Sequence, residues 1–339
     1  MNAQNRVVLV VGATGQLGGE VIKYALQSGF KVRALVRRTS KYSHLKQKNI
    51  EIVFGDLRSY ESLIAACDGV SYVVATANAV APTVKSSFQE DEVMGYKNLI
   101  QACVIRNIRQ FVLISLASMA AQQAHRYLSR VPIMRSKFEI EQMLMQSGLD
   151  YSIFRASLFM DDYFALMGCN IPLIGEESAT LNRLTGYKGV IIRTFGHLVE
   201  KLGIAIVPGN KNNKYNFIAV KDTAELLVDS IGDSNCINKI LIVGGPQEKT
   251  WEDVGGIYGE LLKKKIRVIA IPSWFPRYTR FLFQPFSEFW FNYLGMLWIL
   301  SEVEIPHYAS CYAPGATRIL LTSERYLSKK YELKYSVQK

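Results

Sequence analysis

A glycine-rich turn near the start of the chain limits the folds that this sequence can adopt. The turn Gly12-Ala-Thr-Gly-Gln-Leu-Gly18 joins an apolar run, Val7 to Val11, to a helix-like segment, Leu17 to Gln27. In such a turn the first glycine allows a tight bend, the second lets backbone amides approach a pyrophosphate, and the third permits close helix–strand contact. The N-terminus of the helix adds unpaired N–H groups and a partial positive charge. We predict that a dinucleotide binds here through Gly12, Thr14, Gly15, Gln16, Leu17 and Gly18.

The first half of the chain alternates strand-like and helix-like segments. Continuous apolar runs are expected for parallel strands that helices cover on both faces, and each unit has the length of a βα repeat. The strand-like runs are Val7 to Val11, Lys31 to Val36, Ile50 to Phe54, Val70 to Val74, Phe111 to Ile114 and Tyr151 to Phe154. The helix-like segments are Leu17 to Gln27, Tyr60 to Ala66, Glu90 to Arg106 and Ser136 to Gln146. The pattern predicts an α/β fold of the Rossmann type, with a doubly wound parallel sheet.

The residues after the second strand indicate which dinucleotide binds. A carboxylate there would hydrogen-bond the ribose 2′-hydroxyl of NAD and repel a 2′-phosphate. Here Val36 is followed by Arg37, Arg38, Thr39 and Ser40, which supply two guanidiniums and two hydroxyls. Because a guanidinium binds phosphate in a bidentate geometry, Arg37 and Arg38 favour NADP(H) over NAD(H). The alternative is that one of these arginines points to solvent.

Further candidates for the cofactor site follow the third and fourth strands. Asp56 and Leu57 come after the third strand, where Asp56 is expected near the adenine amino group. Thr76, Ala77 and Asn78 come after the fourth strand and are expected to border the nicotinamide ribose. Both predictions rest on the rule that ligands of open α/β sheets bind at the carboxyl ends of the strands.

Composition narrows the classes of ligand and partner. The 339 residues include 40 Lys and Arg against 29 Asp and Glu, a formal charge of +11. These cations are scattered without a zinc-finger or RNA-binding signature, so we predict anionic ligands and no nucleic acid, with an acidic partner or lipid headgroups as the alternative. The cysteines and histidines lack metal-ligand spacing, so we predict no metal site and cysteines that act as small core residues. We expect neither a signal peptide before the strand at Arg6 nor a membrane span.

The second half is less regular. Phe217 to Val220 is expected as a short strand entering a helix that Asp222 caps, and Thr250 as the N-cap of a helix reaching Lys264. Further strands are expected at Ile240 to Val243 and Ile266 to Ile271. We divide the chain into a cofactor-binding domain, 1–160, and an interwoven, smaller α/β lobe for substrate or partner, 161–339. Glycines make the long segment 161–214 deformable, which favours a lid or a docking element.

An aromatic-rich segment runs from Trp274 to Leu300. Such residues either form a core or line an apolar cleft, or they face a protein partner or a membrane interface. Both interpretations stay open at this point. A membrane span is disfavoured because the segment is interrupted by Arg277, Arg280 and Glu288.

The motifs resemble the atypical short-chain dehydrogenase/reductase superfamily, in particular its NmrA-like and isoflavone-reductase-like branch. The resemblance rests on the glycine turn, on Val36-Arg37-Arg38, on Gly55-Asp56-Leu57 and on segments 131–137, 148–155 and 217–224. Within the branch, the spacing is most similar to cyanobacterial and chloroplast photosystem II assembly factors. That similarity covers roughly 6–160 and resumes around 215–250.

In ordinary members of the superfamily, the resemblance implies a helix with a Tyr-x-x-x-Lys motif, in which lysine lowers the pKa of the tyrosine and the phenol protonates a carbonyl oxygen. The isoflavone-reductase-like branch lacks this tyrosine and keeps the lysine, and several of its members are active. Lys137 stands at the lysine position, but Ile133 stands where the tyrosine is expected. Lys137 is therefore implied as a ribose contact and as the remaining acid/base candidate. Ser115 and Ser118, after the fifth strand, are candidates to orient a substrate oxygen, and His125 is a candidate to border the substrate site.

Two functions follow from this combination. The first is an NADP(H)-dependent oxidoreductase that transfers hydride to an apolar cyclic enone, ketone or pigment-like substrate. The second is a non-catalytic NAD(P)-binding assembly factor or redox-sensing scaffold for a photosynthetic membrane complex, favoured by the missing tyrosine, the positive charge and the aromatic segment. The resemblance implies a monomer or homodimer in a bacterial cytoplasm or plastid stroma, with peripheral thylakoid contact through 274–298 as an option.

Overall fold

A parallel β-sheet lies at the centre of the molecule, seen here in a computed structural model that describes residues 6–46, 49–78, 87, 89–121, 124–176, 195–303 and 320–336. The strands are β1 (Val7–Val11), β2 (Lys31–Val36), β3 (Ile50–Phe54), β4 (Tyr72–Ala75), β5 (Gln110–Leu116), β6 (Tyr151–Ala156), β7 (Ile204–Pro208), β8 (Lys214–Tyr215), β9 (Lys239–Val243), β10 (Lys249–Thr250) and β11 (Arg267–Ile271). Seven of them form one sheet in the order β3-β2-β1-β4-β5-β6-β9, with every neighbouring pair parallel. The predicted Rossmann-type α/β fold is confirmed.

The described residues form twelve α-helices, some of which cover both faces of this sheet. They are α1 (Gln16–Gln27), α2 (Tyr60–Ala66), α3 (Gly95–Ile105), α4 (His125–Leu128), α5 (Pro132–Met145), α6 (Met160–Leu166), α7 (Leu198–Leu202), α8 (Val220–Asp229), α9 (Trp251–Leu262), α10 (Trp274–Phe283), α11 (Glu288–Glu302) and α12 (Ser323–Ser336). Side chains alternate between the faces of a strand. Accordingly, Val8 and Val10 pack under α1 and α8, while Leu9 and Val11 pack under α2, α3 and α5.

The C-terminal half contributes to the central sheet and also builds a second core. Its strand β9 pairs with β6 as the seventh strand. The short parallel pair β7–β11 and the antiparallel pair β8–β10 lie outside that sheet. A second core cluster forms around these pairs from side chains of α6, α9 and α12, including Phe164, Trp251 and Tyr326. Residues 177–194, part of the predicted lid or docking element, lie outside the described residues.

One helix start differs from the prediction. Residues 217–219 form only a single bridge, between Ile218 and Phe159, and α8 begins at Val220 with Ala219 as its N-cap. Asp161, distant in sequence, accepts the backbone N–H of Val220 at 3.0 Å and so takes the role expected of Asp222. The predicted cap was therefore wrong, because a tertiary contact replaced the local one. Asp222 instead accepts the N–H of Leu321 at 2.7 Å.

The predicted cap at Thr250 and the predicted burial of the cysteines are confirmed for the described residues. Thr250 caps α9 in a reciprocal capping box with Asp253. The cysteines at 67, 103, 169 and 236 are buried, as expected for core residues, whereas Cys311 lies outside the described residues. Among the helices of the described segments, none is long and apolar enough to span a membrane.

Candidate functional site

The glycine turn packs so closely against the end of β4 that larger residues would not fit. A Cβ atom on Gly12, whose φ is +88°, would lie 2.6 Å from the amide nitrogen of Ala77 and 2.8 Å from Oγ1 of Thr76. A Cβ atom on Gly18 would overlap the carbonyl oxygen of Gly12. The turn is closed by the N–H of Gly15, which donates to that same carbonyl at 2.8 Å. The three glycines thus bring strand, turn and helix within backbone contact distance.

The N-terminus of α1 has the features of an anion site. Its N-cap is Gly15, no side chain caps it, and no acidic residue lies in its first turn. A helix of this length therefore presents N–H groups and its dipole to a phosphate. Leu17 packs against the core of the sheet. The side-chain amide of Gln16 donates to Asp161 at 3.2 Å and to Glu176 at 3.0 Å.

Cations gather at the ends of β2 and β3. Arg37 and Arg38 are both exposed, and the guanidinium of Arg38 lies 4.9 Å from the ring centroid of Phe54. Arg58, which the sequence analysis missed, donates two hydrogen bonds of 3.1 Å from its guanidinium to the carboxylate of Asp56. Its hydrogen bond, aided by the charge of Arg37, lowers the pKa of Asp56. The carboxylate expected beside adenine is thus already neutralised by a guanidinium two residues away.

Helix α3 holds the end of β4 in place. Thr76 donates its hydroxyl to the carbonyl of Val11 at 2.9 Å, which ties β4 to β1. Tyr96 of α3 donates its phenol to the carbonyl of Ala77 at 2.7 Å. Asn78 follows and is exposed. The predicted ribose-contact segment is therefore anchored by a tyrosine that no sequence motif indicated.

The same helix fixes the loop after β3. Asn98 donates its side-chain amide to the carbonyl of Leu57 at 3.1 Å. A Cβ on Gly95 would lie 2.8 Å from the Cβ of Leu57, so α3 approaches this loop at backbone distance. The residues predicted at the ends of β1, β2, β3 and β4 thus share one edge of the sheet.

Lys137 is buried and paired. Its Nζ lies 2.7 Å from Oε1 of Glu92, and the two side chains are 2% and 1% exposed. Within the described part of the chain, neither group makes a well-oriented hydrogen bond. The Lys137 ammonium also lies 5.6 Å from the ring centroid of Tyr96. Glu92 belongs to a π-helix, Gln89–Met94, a local structure frequent at functional sites.

The two candidate serines are engaged by other protein groups. Ser115 donates to Glu141 at 2.5 Å, and Glu141 in turn receives two contacts from Arg155, at 3.1 and 2.6 Å. Ser118 donates to the Sδ of Met134 at 3.3 Å. Both serines are buried. In this conformation their hydroxyls stabilise the protein interior.

The position of the missing tyrosine is closed by α11. Ile133 is buried, and its backbone N–H donates to Oδ1 of Asn292 at 3.0 Å. Tyr127 donates its phenol to Glu302 at 3.0 Å, and burial, followed by this hydrogen bond, raises its pKa to about 12. His125 is exposed on the short helix α4. Tyr127 is therefore bound by α11 and does not replace the absent phenol.

Comparison with known proteins adds the evolutionary context. The photosystem II assembly factor Ycf39 of Cyanophora paradoxa is 36% identical over 171 residues, 50% of this chain and 50% of that relative. Ycf39 of Trieres chinensis is 26% identical over 265 residues, covering 78% of this chain and 72% of the relative. The match to the first of these relatives therefore covers only half of that relative's length.

Solved structures and a family model agree on the fold. The quinone oxidoreductase QOR2 of Escherichia coli, crystallised with NADPH, superposes with a TM-score of 0.70 at 16% identity and covers 95% of this chain and 99% of its own. The model of the NmrA-like family matches residues 4–277, most of the chain. This protein therefore belongs to the NmrA-like family.

Proposed function

We propose that this protein binds NADP(H) and acts as a non-catalytic assembly factor at the surface of a photosynthetic membrane. The observation that carries the proposal is the buried pair of Lys137 and Glu92 beside Ile133. The cofactor edge is well formed, whereas the groups that would move a proton are held inside the protein. Relatives named photosystem II assembly factors support the same conclusion.

The cofactor itself would lie across the edge formed by β1, β2, β3 and β4. Backbone N–H groups from Thr14 to Gly18 would hold the pyrophosphate at the start of α1. Arg37 and Arg38 would bind the 2′-phosphate, with Arg58 as a further cation nearby. Because Arg58 is paired with Asp56, this carboxylate opposes a 2′-phosphate less than a free aspartate would. The bound cofactor would supply hydride chemistry if a substrate reached it.

Fluorescence titration with NADPH and NADH tests the cofactor site. Replacing Arg37 and Arg38 together with alanine should weaken NADPH binding about 100-fold, since a hydrogen bond to a charged group contributes roughly 1.5–3 kcal/mol. NADH binding should change little. The matched control is Arg106→Ala/Arg109→Ala, which removes two exposed cations from the opposite edge of the sheet. Equal losses for both nucleotides in the first variant would contradict a 2′-phosphate contact.

The surroundings of Lys137 do not favour catalysis. A proton donor must lie within hydrogen-bond reach of the reacting oxygen. Lys137 is 2% exposed and faces the Glu92 carboxylate at 2.7 Å, so a proton transfer to substrate would first have to break a buried ion pair. Ser115 is likewise held by Glu141. The pair therefore suits a structural support of the cofactor edge.

The aromatic hairpin, which consists of residues 274–286 of α10 and the turn after it, supports the membrane role. This segment contains no acidic residue, and of its two arginines Arg277 is partly exposed while Arg280 is buried. Its large apolar side chains are 39–80% exposed, and they are Trp274, Phe275, Tyr278, Phe281, Leu282, Phe283 and Phe286. Aromatic and apolar side chains combined with cations favour an anionic lipid interface.

Vesicle sedimentation tests the membrane role. The purified protein should bind phosphatidylglycerol vesicles more strongly than phosphatidylcholine vesicles, and salt should weaken that binding. On this proposal the protein works on the stromal or cytoplasmic face of the thylakoid. If the protein bound neither kind of vesicle, the lipid proposal would be wrong, and a protein partner would be expected to cover the aromatic hairpin.

One observation favours the reductase as a second candidate. The Lys137 ammonium lies 5.6 Å from the ring centroid of Tyr96, whose phenol is bonded to the cofactor-edge residue Ala77. A lysine and a phenol thus occur at the same edge. In this function NADPH would give hydride to the carbon of an apolar cyclic enone, ketone or pigment-like carbonyl, and a proton would reach its oxygen. NADPH would become NADP⁺.

NADPH oxidation with a panel of enones, ketones and quinones separates the two candidates. Turnover that is lost in Lys137→Met, while NADPH still binds to that variant, would support the reductase. Intact NADPH binding without turnover on any compound would support the binding role. The same preparation supplies both measurements, so a loss of cofactor binding cannot be mistaken for a loss of chemistry.

A further inference from the structure

An apolar cavity of about 180 Å³ lies in the C-terminal half of the molecule. Its walls come from α6, β7, the end of β11, the start of α9, and both α10 and α11. The side chains that matter for its chemistry are Tyr163, Trp251, Tyr293, Leu297 and Ile206.

The cavity faces away from the cofactor edge. On α6, Asp161 receives a hydrogen bond from Gln16 at the start of α1, whereas Tyr163 lines the cavity. Residues two positions apart on an α-helix point about 200° apart, so the two side chains leave opposite sides of α6. On α11, Asn292 bonds to the backbone of α5, while Tyr293 lines the cavity. The cavity is therefore distinct from the nicotinamide region.

The lining restricts the chemistry of an occupant. It contains no charged side chain. Burial, followed by the nearby Asp162 charge, raises the pKa of Tyr293 to about 12 and that of Tyr163 further, so both phenols are neutral hydrogen-bond donors. An ionic ligand would lose its hydration here without gaining a counter-charge. A neutral ligand is favoured.

The buried indole of Trp251 supplies the specific contact. Trp251 is 1% exposed, and within the described residues its Nε1 has no hydrogen-bond acceptor. Its ring is fixed by edge contacts with Tyr215 and Phe217, at centroid distances of 5.3 and 5.0 Å. A buried N–H without an acceptor is unfavourable, and a ligand oxygen would satisfy it.

We propose that this cavity binds a neutral, mainly hydrocarbon ring compound that carries a carbonyl oxygen, and that this oxygen accepts a hydrogen bond from the Nε1 of Trp251. The size is suitable, because an apolar cavity of about 150 Å³ is known to stay dry and to bind benzene. Phe275 and Pro276 of α10 form part of the wall, so the base of the aromatic hairpin borders the cavity.

Two probes that differ by one oxygen test the proposal. The ketone 1-tetralone and the hydrocarbon tetralin are titrated against the full-length protein, with binding followed by ligand NMR. Both should bind, and the ketone should bind more tightly. Trp251→Phe should weaken tetralone binding about 3- to 10-fold, the effect of one hydrogen bond, and leave tetralin unchanged. Trp298→Phe is the matched control, because Trp298 is also a buried tryptophan whose Nε1 has no acceptor among the described residues, yet it lies outside the cavity.

Filling the cavity provides the second arm. Leu297→Trp from α11 and Ile206→Phe from β7 should each abolish binding of both probes while the circular dichroism spectrum stays native. Because the two substitutions lie on different walls, the test remains possible if one of the variants fails to fold. The proposal is overturned if neither probe binds the wild type, if tetralone binds no more tightly than tetralin, if Trp251→Phe weakens both probes equally, or if saturating NADPH displaces tetralone.

Discussion

The glycine turn and the aromatic hairpin are opposites in the way they use side chains. At the turn, residues without side chains bring backbone groups together, and Cβ atoms on Gly12 or Gly18 would overlap neighbouring backbone. At the aromatic hairpin, the largest side chains are directed outward, with Phe286 80% and Leu282 70% exposed. The first region is complete as a backbone structure, whereas the second leaves apolar surface uncovered.

This difference separates two kinds of constraint on the sequence. The turn is fixed by the fold and by a ligand that contacts backbone, so a single methyl group should damage both. The exposed side chains of the aromatic hairpin are not needed to close a core, so they should be replaceable without loss of stability. A surface of that kind is retained for contact with something outside the chain.

The largest expected effect on stability is at the buried ion pair of Lys137 and Glu92. Lys137→Met leaves the Glu92 carboxylate buried without its counter-charge and should lower the free energy of unfolding by about 3–5 kcal/mol. The double variant Glu92→Gln/Lys137→Met should recover most of that loss. Urea unfolding measures both. If Lys137→Met lowered the free energy of unfolding by less than about 1 kcal/mol, Lys137 and Glu92 would not form a buried ion pair in solution.

The next largest effect on stability is expected at the glycine turn. It can be tested by replacing two adjacent glycines, one at a time. Gly18→Ala forces the backbone of Gly12 to move and should lower the free energy of unfolding by about 2–4 kcal/mol and abolish NADPH binding. The Cβ of Gly19→Ala meets nothing within 4 Å, so this variant should gain roughly 0.5–1 kcal/mol. Similar behaviour of the two variants would contradict the tight packing of the turn.

The next effect in size is a pH dependence of stability that comes from two aspartates of α6. Burial raises the pKa of Asp161 to about 6 and that of Asp162 to about 7, above the 3.8 of a free aspartate. The folded state therefore binds more protons than the unfolded state between about pH 4 and 7, and stability should fall as pH rises through that range. Asp162→Asn should leave stability at pH 4 unchanged and raise it at pH 8 by roughly 1–2 kcal/mol. A pH profile of thermal unfolding checks this, and an Asp162→Asn profile that falls as steeply as that of the wild type would contradict it.

The smallest effect on stability is expected at the aromatic hairpin. Trp274→Ser/Phe286→Ser should change the free energy of unfolding by less than about 0.5 kcal/mol, because both side chains are mostly exposed. The same variant should lose binding to phosphatidylglycerol vesicles. Ile105→Ser/Leu202→Ser removes two comparably exposed apolar residues elsewhere and should bind vesicles like the wild type. A large loss of stability in the hairpin variant would assign the segment to the core.

The central sheet could be predicted from the sequence because its strands are continuous apolar runs. The bounds of β1, β2 and β3 agree with the prediction, and α5 begins earlier than expected, at Pro132, a residue favoured at the first helical position. The aromatic segment divides into α10 and α11, since Pro285 interrupts the first helix and Ser287 caps the second. These differences have local causes that finer analysis of the sequence could find.

The interior of the candidate site could not be predicted in the same way. Glu92 lies within a stretch predicted as one α-helix, 90–106, yet residues 89–94 form a π-helix that directs its carboxylate at Lys137. Asp161 replaced Asp222 at the start of α8 through a contact between residues 59 positions apart. Pairings of this kind depend on how elements pack, and a single sequence contains no local pattern for them. The roles assigned to Lys137, Ser115 and Ser118 stay predictions.

Asp161 also bears on the order in which the molecule can be made. Its carboxylate accepts the Gln16 side chain, 145 positions earlier, and the N–H of Val220, 59 positions later. The starts of α1 and α8 are thereby held by one anionic group, and these helices pack together on the same face of the sheet. A ribosome that has released only the first hundred residues has exposed α1 without the carboxylate that joins it to α8. The link between the starts of these two helices therefore forms late in synthesis, although α1 is translated first.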